Sequence, residues 1–379
     1  MGLPFDHSIR NLGRRPTRTL LAGVSSAMVA ALLVATVAFA RGLEGTFSGA
    51  ADPRTALLLS SVSERDVVRS TAQAGLGALV QASVPGILAA SDEIHMGTSV
   101  QLPGQDTAYS GFVRGVTDAA YEVHRALTLT AGHLPGPGEV MVGRLVAGQS
   151  GIAPGALAIG RSLIIEGSAL TIVGHFSAPG TTLEAEIWTP LEPLRGLSRR
   201  DDSSCVFVLM EGERTAKLLR LFCDRRLDLE LEMVSSERYY AELADYMRPI
   251  RSMAWALSLL IGLAALLGGV TTSIASVQDR IRELAALRAL GFSSWSIARS
   301  LLVEAILIAA AGALVGLALG RIVLSGASVS LAMSAFELRA DATAVLTAFA
   351  AVLLIALLGV LPAALRVVRL PIATALVED

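Results

Sequence analysis

Four stretches of about 20 mostly apolar residues constrain this chain more than any other feature. They run from about Thr19 to Phe39, Met253 to Ser273, Ile297 to Leu319 and Ala342 to Leu365. A helix of that length spans the hydrocarbon core of a bilayer. Composition agrees: 53% of the 379 residues are hydrophobic and 17% are charged, against about 25% charged in soluble domains. The apolar excess lies in these four blocks and leaves a long water-soluble insert between the first and second. The expected fold class is therefore an α-helical membrane protein with four transmembrane helices and a large extracytoplasmic α/β domain containing a β-rich subdomain. A net charge of -2 gives no general attraction to nucleic acid.

Arginines suggest the orientation, because cytoplasmic flanks collect basic residues. Arg10, Arg14, Arg15 and Arg18 precede the first stretch; Arg280, Arg282 and Arg288 lie between the second and third; Arg366 and Arg369 follow the fourth. The loop between the third and fourth offers Arg339, offset by Glu337 and Asp341. These positions agree on both termini and the middle loop inside, and the insert outside, in a multi-pass protein of the cytoplasmic (inner) membrane. A cleaved signal peptide is the alternative for the first stretch, since Ala38-Phe39-Ala40 resembles a cleavage site. Its apolar run is longer than the 7–15 residues of a signal core.

Three domains are expected. Residues 1–40 hold the N-terminal segment and first span, 41–252 the insert, and 253–379 the other three spans. Within the insert, a β-rich subdomain is expected over about 127–196. It is punctuated by Leu134-Pro135-Gly136-Pro137-Gly138 and Ile152-Ala153-Pro154-Gly155, with strands near Glu139–Val142, Ser162–Ile165, Leu170–Gly174 and Glu186–Pro190. Outside it, Thr55–Val62 reads as a strand and Glu64–Val80 as largely helical. Cys205–Met210, Glu213–Arg225 and Leu229–Val234 give a βαβ pattern, and Glu237–Arg251 reads as helix.

The insert shows no pattern of an active site. His95, His124, His133 and His175 are scattered, with no HExxH or zinc-finger spacing, and read as surface or turn residues. No GxSxG elbow occurs. No metal site is expected. Cys205 and Cys223 could pair in an oxidising compartment or stay as free buried thiols.

The run Ser276-Val277-Gln278-Asp279-Arg280-Ile281-Arg282-Glu283-Leu284-Ala285-Ala286-Leu287-Arg288-Ala289-Leu290-Gly291 has apolar residues at helical spacing. Gly291 suits a helix stop, and Ser293 or Ser294 a cap for the next helix. This predicts a short amphipathic helix at the membrane surface. It is either an interfacial turn of the chain or a docking element, and its mixed charge argues against simple attraction to anionic lipid. In the third stretch, Gly312, Gly316 and Gly320 recur every four residues. They form a helix-packing face within the subunit or across a dimer, or an incidental feature of an Ala/Gly-rich helix. Glu304 lies about 10 Å into the same stretch at 1.5 Å per residue. It could form an ion pair, with Arg299 or Arg288 as candidates, or sit as a protonated or interface-facing carboxyl.

The 276–291 run resembles the S-V-x-E-R-x-R-E-I-G-x-x-R-A-x-G signature of MacB/FtsX-type permeases. Arg280, Arg282, Glu283, Arg288, Ala289 and Gly291 match directly. Asp279, Leu284 and Ala285 stand where glutamate, isoleucine and glycine are usual. Glu304-Ala305 matches the E-A that follows. Arg10-Asn11-Leu12 through Arg18-Thr19 is similar to the family's N-terminal R-N-L-x-R-R-x-x-R-T, and Pro362-Ala363 through Pro371-Ile372 to Glu378 to its C-terminal P-A…P-I-x-A-L-x-x-E. The resemblance implies a periplasmic core domain plus a permease domain, coupled by mechanotransmission to an ABC ATPase. On this reading Asp279, Arg280, Ile281, Arg282, Glu283, Leu284, Arg288 and Gly291 form the docking helix, with Ile281 and Leu284 anchored in an apolar groove of the ATPase. The single lysine, Lys217, has no glycine-rich phosphate loop around it. ATP and Mg would therefore bind the partner ATPase, this chain holding no cofactor and no catalytic residue. Further implied partners are a second permease subunit, identical or paralogous, membrane lipid and a periplasmic adaptor. The expected function is export or extraction of a lipid, lipoprotein or amphiphile. The alternatives are an FtsX-like transmitter that regulates an external enzyme, or an anchored binding scaffold.

Overall fold

The structure is a computed structural model that describes residues 16–331, 334–338 and 340–369. The N-terminal motif through Arg15, Arg339 and the C-terminal Pro371–Glu378 run lie outside the described residues. The chain divides into two compact units.

The first unit comprises residues 1–41, 249–326 and 338–379. Four helices here are long and apolar enough to cross a membrane. They are the first span (Pro16–Ser48, its last turns counted in the second unit), the second (Arg248–Gln278), the third (Ser294–Leu324) and the fourth (Ala342–Arg369). All four outrun the apolar stretches read from sequence, because a helix satisfies its own backbone and continues past the hydrocarbon. Large side chains such as Leu259, Leu314, Val323 and Leu346 remain exposed on them, as lipid-facing positions require.

Small residues bring the first and third spans together. Ala30, Val34 and Ala38 pack with Ala309, Ala313 and Leu317, joined by Ala344 and Ala348 of the fourth span. The glycine face of the third span lies against this surface. A Cβ on Gly312 would meet the Gly23 carbonyl and come within 2.9 Å of Ser26, one on Gly316 would meet the Ala27 carbonyl, and one on Gly320 would lie 2.8 Å from Val34. All three glycines thus face the first span of the same chain. Gly359 and Gly269 allow a similar approach of the fourth and second spans. Arg41 and Asp341 form an ion pair at 3.0 Å.

The second unit comprises residues 42–248 and 327–337. Its strands in chain order are β1 (Thr55–Ser60), β2 (Ile87–Gln101), β3 (Ala108–Val116), β4 (Thr128–Gly132), β5 (Glu139–Gly143), β6 (Ser162–Ile165), β7 (Ser168–Ser177), β8 (Ile187–Pro190), β9 (Cys205–Met210) and β10 (Leu231–Ser235). They form one sheet in the order β10-β1-β9-β2-β3-β8-β5-β7-β4, and β6 pairs with both β2 and β7. That double pairing closes a ring, β2-β3-β8-β5-β7-β6, which is the β-rich part of the insert. Closure removes strand edges that would otherwise be exposed. Ile94, Val113, Val142, Leu163, Ile172 and Ile187 fill its interior.

The open part of the sheet carries helices α1 (Leu76–Ser83) and α2 (Ala120–Val123), and α3 (Glu213–Arg225) and α4 (Ser236–Tyr246). β9 and β10 are both antiparallel to β1. The expected βαβ run therefore straddles β1 as a split unit. Side chains of β9 alternate: Val206, Val208 and Met210 meet α1 and α3, while Cys205, Phe207 and Leu209 meet the other face. Cys205 and Cys223 thus lie on opposite faces, and both are free thiols.

Three readings of the insert need correction. The segment read as helical from Glu64 forms turns up to Gly75, and helix begins only at Leu76. Glu64 and Arg65 take positive φ, and the Asp66 carboxylate accepts the Val68 N–H at 2.9 Å, a local turn that competes with helix. Arg65 is fixed by Glu232 at 2.6 Å and by Glu242. Secondly, β2 and β3, which together supply the longest ladder, were not anticipated. Thirdly, the hairpin of β11 (Ser328–Leu331) and β12 (Ser334–Glu337) belongs to the sheet unit although it lies between the third and fourth spans. Ala335 packs with Leu145 and Ala185, and Arg144 bridges Glu184 at 3.0 Å and Glu337 at 2.9 Å.

Two substitutions check this packing. Gly316→Leu should destabilise the helical unit by about 1–3 kcal/mol through overpacking, whereas Gly268→Ala, where nothing lies within 4 Å, should be tolerated. Thermal unfolding of the full chain in detergent reads the difference. Arg114→Met in the sheet unit should cost about 3–5 kcal/mol, because it strands buried carboxylates; the same melt with a probe on the sheet unit measures it.

Candidate functional site

The connection between the second and third spans is built as the signature suggests. The second span ends at Gln278, and the connecting helix runs Ile281–Ala289. Gly291 has φ of 91°, a conformation that glycine adopts without steric cost. The Ser293 hydroxyl then accepts the Ser296 N–H at 3.2 Å and caps the third span.

The helix has two distinct faces. Leu284 and Ala285 are buried, and Leu284 packs with Val277, Ile297, Leu301, Ala363 and Val367. Ile281 and Arg288 are half-buried, while Asp279, Arg282, Glu283 and Ala286 are exposed, as is Leu290 at the end of the helix. This corrects part of the sequence reading. Leu284 anchors the helix to its own bundle and is not presented to a partner.

Arg280 is also turned inward. Its side chain is 8% exposed, and Nη1 lies 3.3 Å from Glu304 Oε2. Its Nε donates to Glu283 Oε2 at 3.4 Å. The intramembrane carboxylate thus meets Arg280, whereas the sequence suggested Arg299 or Arg288. Distance along the helix favoured those two, but the break at Asp279–Arg280 swings the Arg280 guanidinium back over the third span. Both residues line a cavity of about 670 Å³ among the four spans, together with Arg18, Ser276, Ile308 and Val352.

A family model described as the MacB-like periplasmic core domain matches residues 19–220, and one described as the FtsX-like permease C-terminal matches residues 255–372. The chain belongs to the MacB/FtsX-type permease family. No curated protein matches it. Among solved structures it is similar to the periplasmic region of MacB from Actinobacillus actinomycetemcomitans, with 10% identity, 51% of this chain and 94% of that chain covered, and a TM-score of 0.41. The extracellular domain of the noncanonic ABC-type transporter YknZ from Gram-positive bacteria gives 13% identity, 48% and 99% coverage, and 0.38. A domain of a permease protein from Porphyromonas gingivalis gives 16%, 48% and 88%, and 0.35.

Permeases of the MacB/FtsX type are membrane components of ABC-type transporters, which implies an ATPase partner. The FtsX-like match contains the connecting helix, Glu304 and the glycine face. The MacB-like match contains a second arrangement that sequence reasoning missed. His95 and His124, read as surface residues, are buried beside Glu93, Arg114, Glu186, Trp188 and Cys205. The Arg114 guanidinium donates two bonds to Glu186, each 2.7 Å, and one to Glu93 at 2.7 Å. Burial alone would raise the Glu93 carboxyl, but His124 and Arg114 beside it hold it well below the usual carboxylate range. Burial pushes His95 down, and Arg114 adds to that. It pushes the Cys205 thiol up, helped by Glu93. The one available signal was indirect: Asp92-Glu93-Ile94-His95 alternates polar and apolar residues as a strand does, with charged residues in inward positions.

The Arg280–Glu304 contact is testable by a double-mutant cycle with Arg280→Gln and Glu304→Gln. Neighbouring residues that interact should show a coupling of about 0.5–3 kcal/mol in thermal unfolding. Additive losses would mean that the pair is not formed.

Proposed function

We propose that this chain is the permease subunit of an ABC transporter whose ATPase is a separate chain. It works beside a second permease subunit, and ATP and Mg bind only the ATPase. On this reading the termini and the connecting helix are cytoplasmic, the sheet unit is periplasmic, and the chain itself performs no catalysis. The observation that carries the proposal is the two-faced connecting helix within the FtsX-like segment. One face is fixed to the bundle by Leu284, Ala285 and Arg280, and the other offers Asp279, Arg282 and Glu283.

The physics of coupling follows from that division. A docking helix biases a conformational equilibrium only if its contacts differ between nucleotide states of the partner. Charged residues of both signs give such contacts direction and register. Force on the exposed face then reaches the second, third and fourth spans through Val277, Ile297 and Val367. The first span is unbroken from Pro16 to Ser48 and supplies residues to both units, which suits transmission along the chain. An amphiphilic substrate, lipid or lipoprotein, is consistent with a cavity that combines apolar walls with Arg18, Arg280 and Glu304.

The test is charge reversal at Arg282 and Glu283 in the full chain, assembled with its ATPase. Arg282→Glu with Glu283→Arg should weaken association at least about tenfold, roughly 1.4 kcal/mol, and abolish permease-dependent change in ATP hydrolysis. The unfolding temperature should stay the same, since both side chains are exposed. Unchanged coupling would remove the docking role.

A further inference from the structure

We propose that the sheet unit binds one Zn²⁺ ion through Glu93, His95 and Cys205, with His124 as the fourth ligand. The inference rests on the sheet unit alone and is independent of the docking role.

Glu93 and His95 come from β2, Cys205 from the start of β9, and His124 from the residue after α2. Glu93 and Cys205 are 0% exposed, His95 4% and His124 8%. One donor atom from each of Glu93, His95 and Cys205 lies within 4.8 Å of the others. His95 Nε2 is 3.0 Å from Glu93 Oε2 and 3.8 Å from Cys205 Sγ. His124 Nε2 is 2.7 Å from Glu93 Oε1. Tetrahedral zinc with bonds of about 2.0–2.3 Å separates its donors by roughly 3.3–3.8 Å. The donors already stand near those separations, and only the two carboxylate contacts need to widen by a few tenths of an ångström. Two imidazoles, a carboxylate and a thiolate form a donor set that suits zinc.

Charge supports the same conclusion. Arg114 is held in a two-bond fork by Glu186, so those two charges cancel. The Glu93 negative charge then remains, fully buried. A divalent ion with the Glu93 carboxylate and a Cys205 thiolate sums to zero. Arg114 also reaches Glu93 Oε2, and a carboxylate oxygen has lone pairs for both an arginine and an ion. Glu186 in turn accepts from Trp188 Nε1 at 2.8 Å. Such outer hydrogen bonds orient ligands in zinc sites. Sequence spacing concealed the set, because Glu93 and Cys205 are far apart in the chain and meet only through the β2–β9 ladder.

The full chain, purified in detergent without a metal-affinity tag from zinc-supplemented medium, should contain about one zinc per chain by elemental analysis. After chelation, zinc at a hundredfold its dissociation constant should raise the melting temperature of the sheet unit by roughly 5–10 °C. Cobalt should give a thiolate charge-transfer band in the near ultraviolet. Cys205→Ser should lose that band, and Cys223→Ser should keep it. Wild-type protein with only trace metal and no thermal shift would overturn the proposal, as would a band that survives in Cys205→Ser.

Discussion

Taking an ion out of water costs several kcal/mol unless an opposite charge and hydrogen bonds meet it, and this chain buries ions in both of its units. In the sheet unit Arg114 stands between Glu93 and Glu186, each contact 2.7 Å. The surrounding aromatic side chains of Trp188 and Phe207 exclude water and lie 5.4 and 5.6 Å from the guanidinium carbon. Four strands supply these groups, so their register is tied to charge as well as to apolar packing. A one-residue slip of β2 would turn Glu93 and His95 into the apolar interior of the ring, where nothing compensates them. The network therefore specifies the pairing at the point where the open sheet becomes the closed ring.

The helical unit applies the same rule with a different purpose. Glu304 in an apolar helix is costly in lipid, and Arg280 offsets it from outside that helix. The partner comes from the end of the second span, so the ion pair also fixes where the connecting helix starts. Leu284 and Ala285 fix how it lies. Three inward residues thus set the orientation of a helix whose other face is charged.

Legibility from sequence follows what each element packs against. The four spans were plain because lipid demands continuous apolar length and nothing else in the chain supplies it. Strands β5, β6, β9 and helix α3 were plain because each has one partner face, giving ordinary period-two or helical patterns. β2 was concealed because its inward positions carry Asp92, Glu93 and His95, and their partners Arg114, Glu186 and Cys205 lie on other strands. Likewise the turns after Glu64 depend on Glu232 and Glu242, contacts that no local window contains. At the connecting helix, sequence identified the element and its stop at Gly291. It could not tell which of four adjacent charges faces inward, because that depends on the break at Asp279–Arg280 and on the position of Glu304.

That last distinction bears on mechanism. A helix tied to its bundle only by apolar contacts can slide or roll at modest cost, since those contacts are non-directional. A partner pushing on it would then lose displacement to rotation. An ion pair with one geometry resists rolling, and the Arg280–Glu304 pair lies on the side opposite the exposed charges Asp279 and Arg282. Push and restraint thus act on opposite faces of the same short element. Under the proposed coupling, displacement passes into the second, third and fourth spans instead of being absorbed at the surface. The carboxylate inside the third span, costly by itself, is then the feature that makes the surface helix stiff enough to act as a lever.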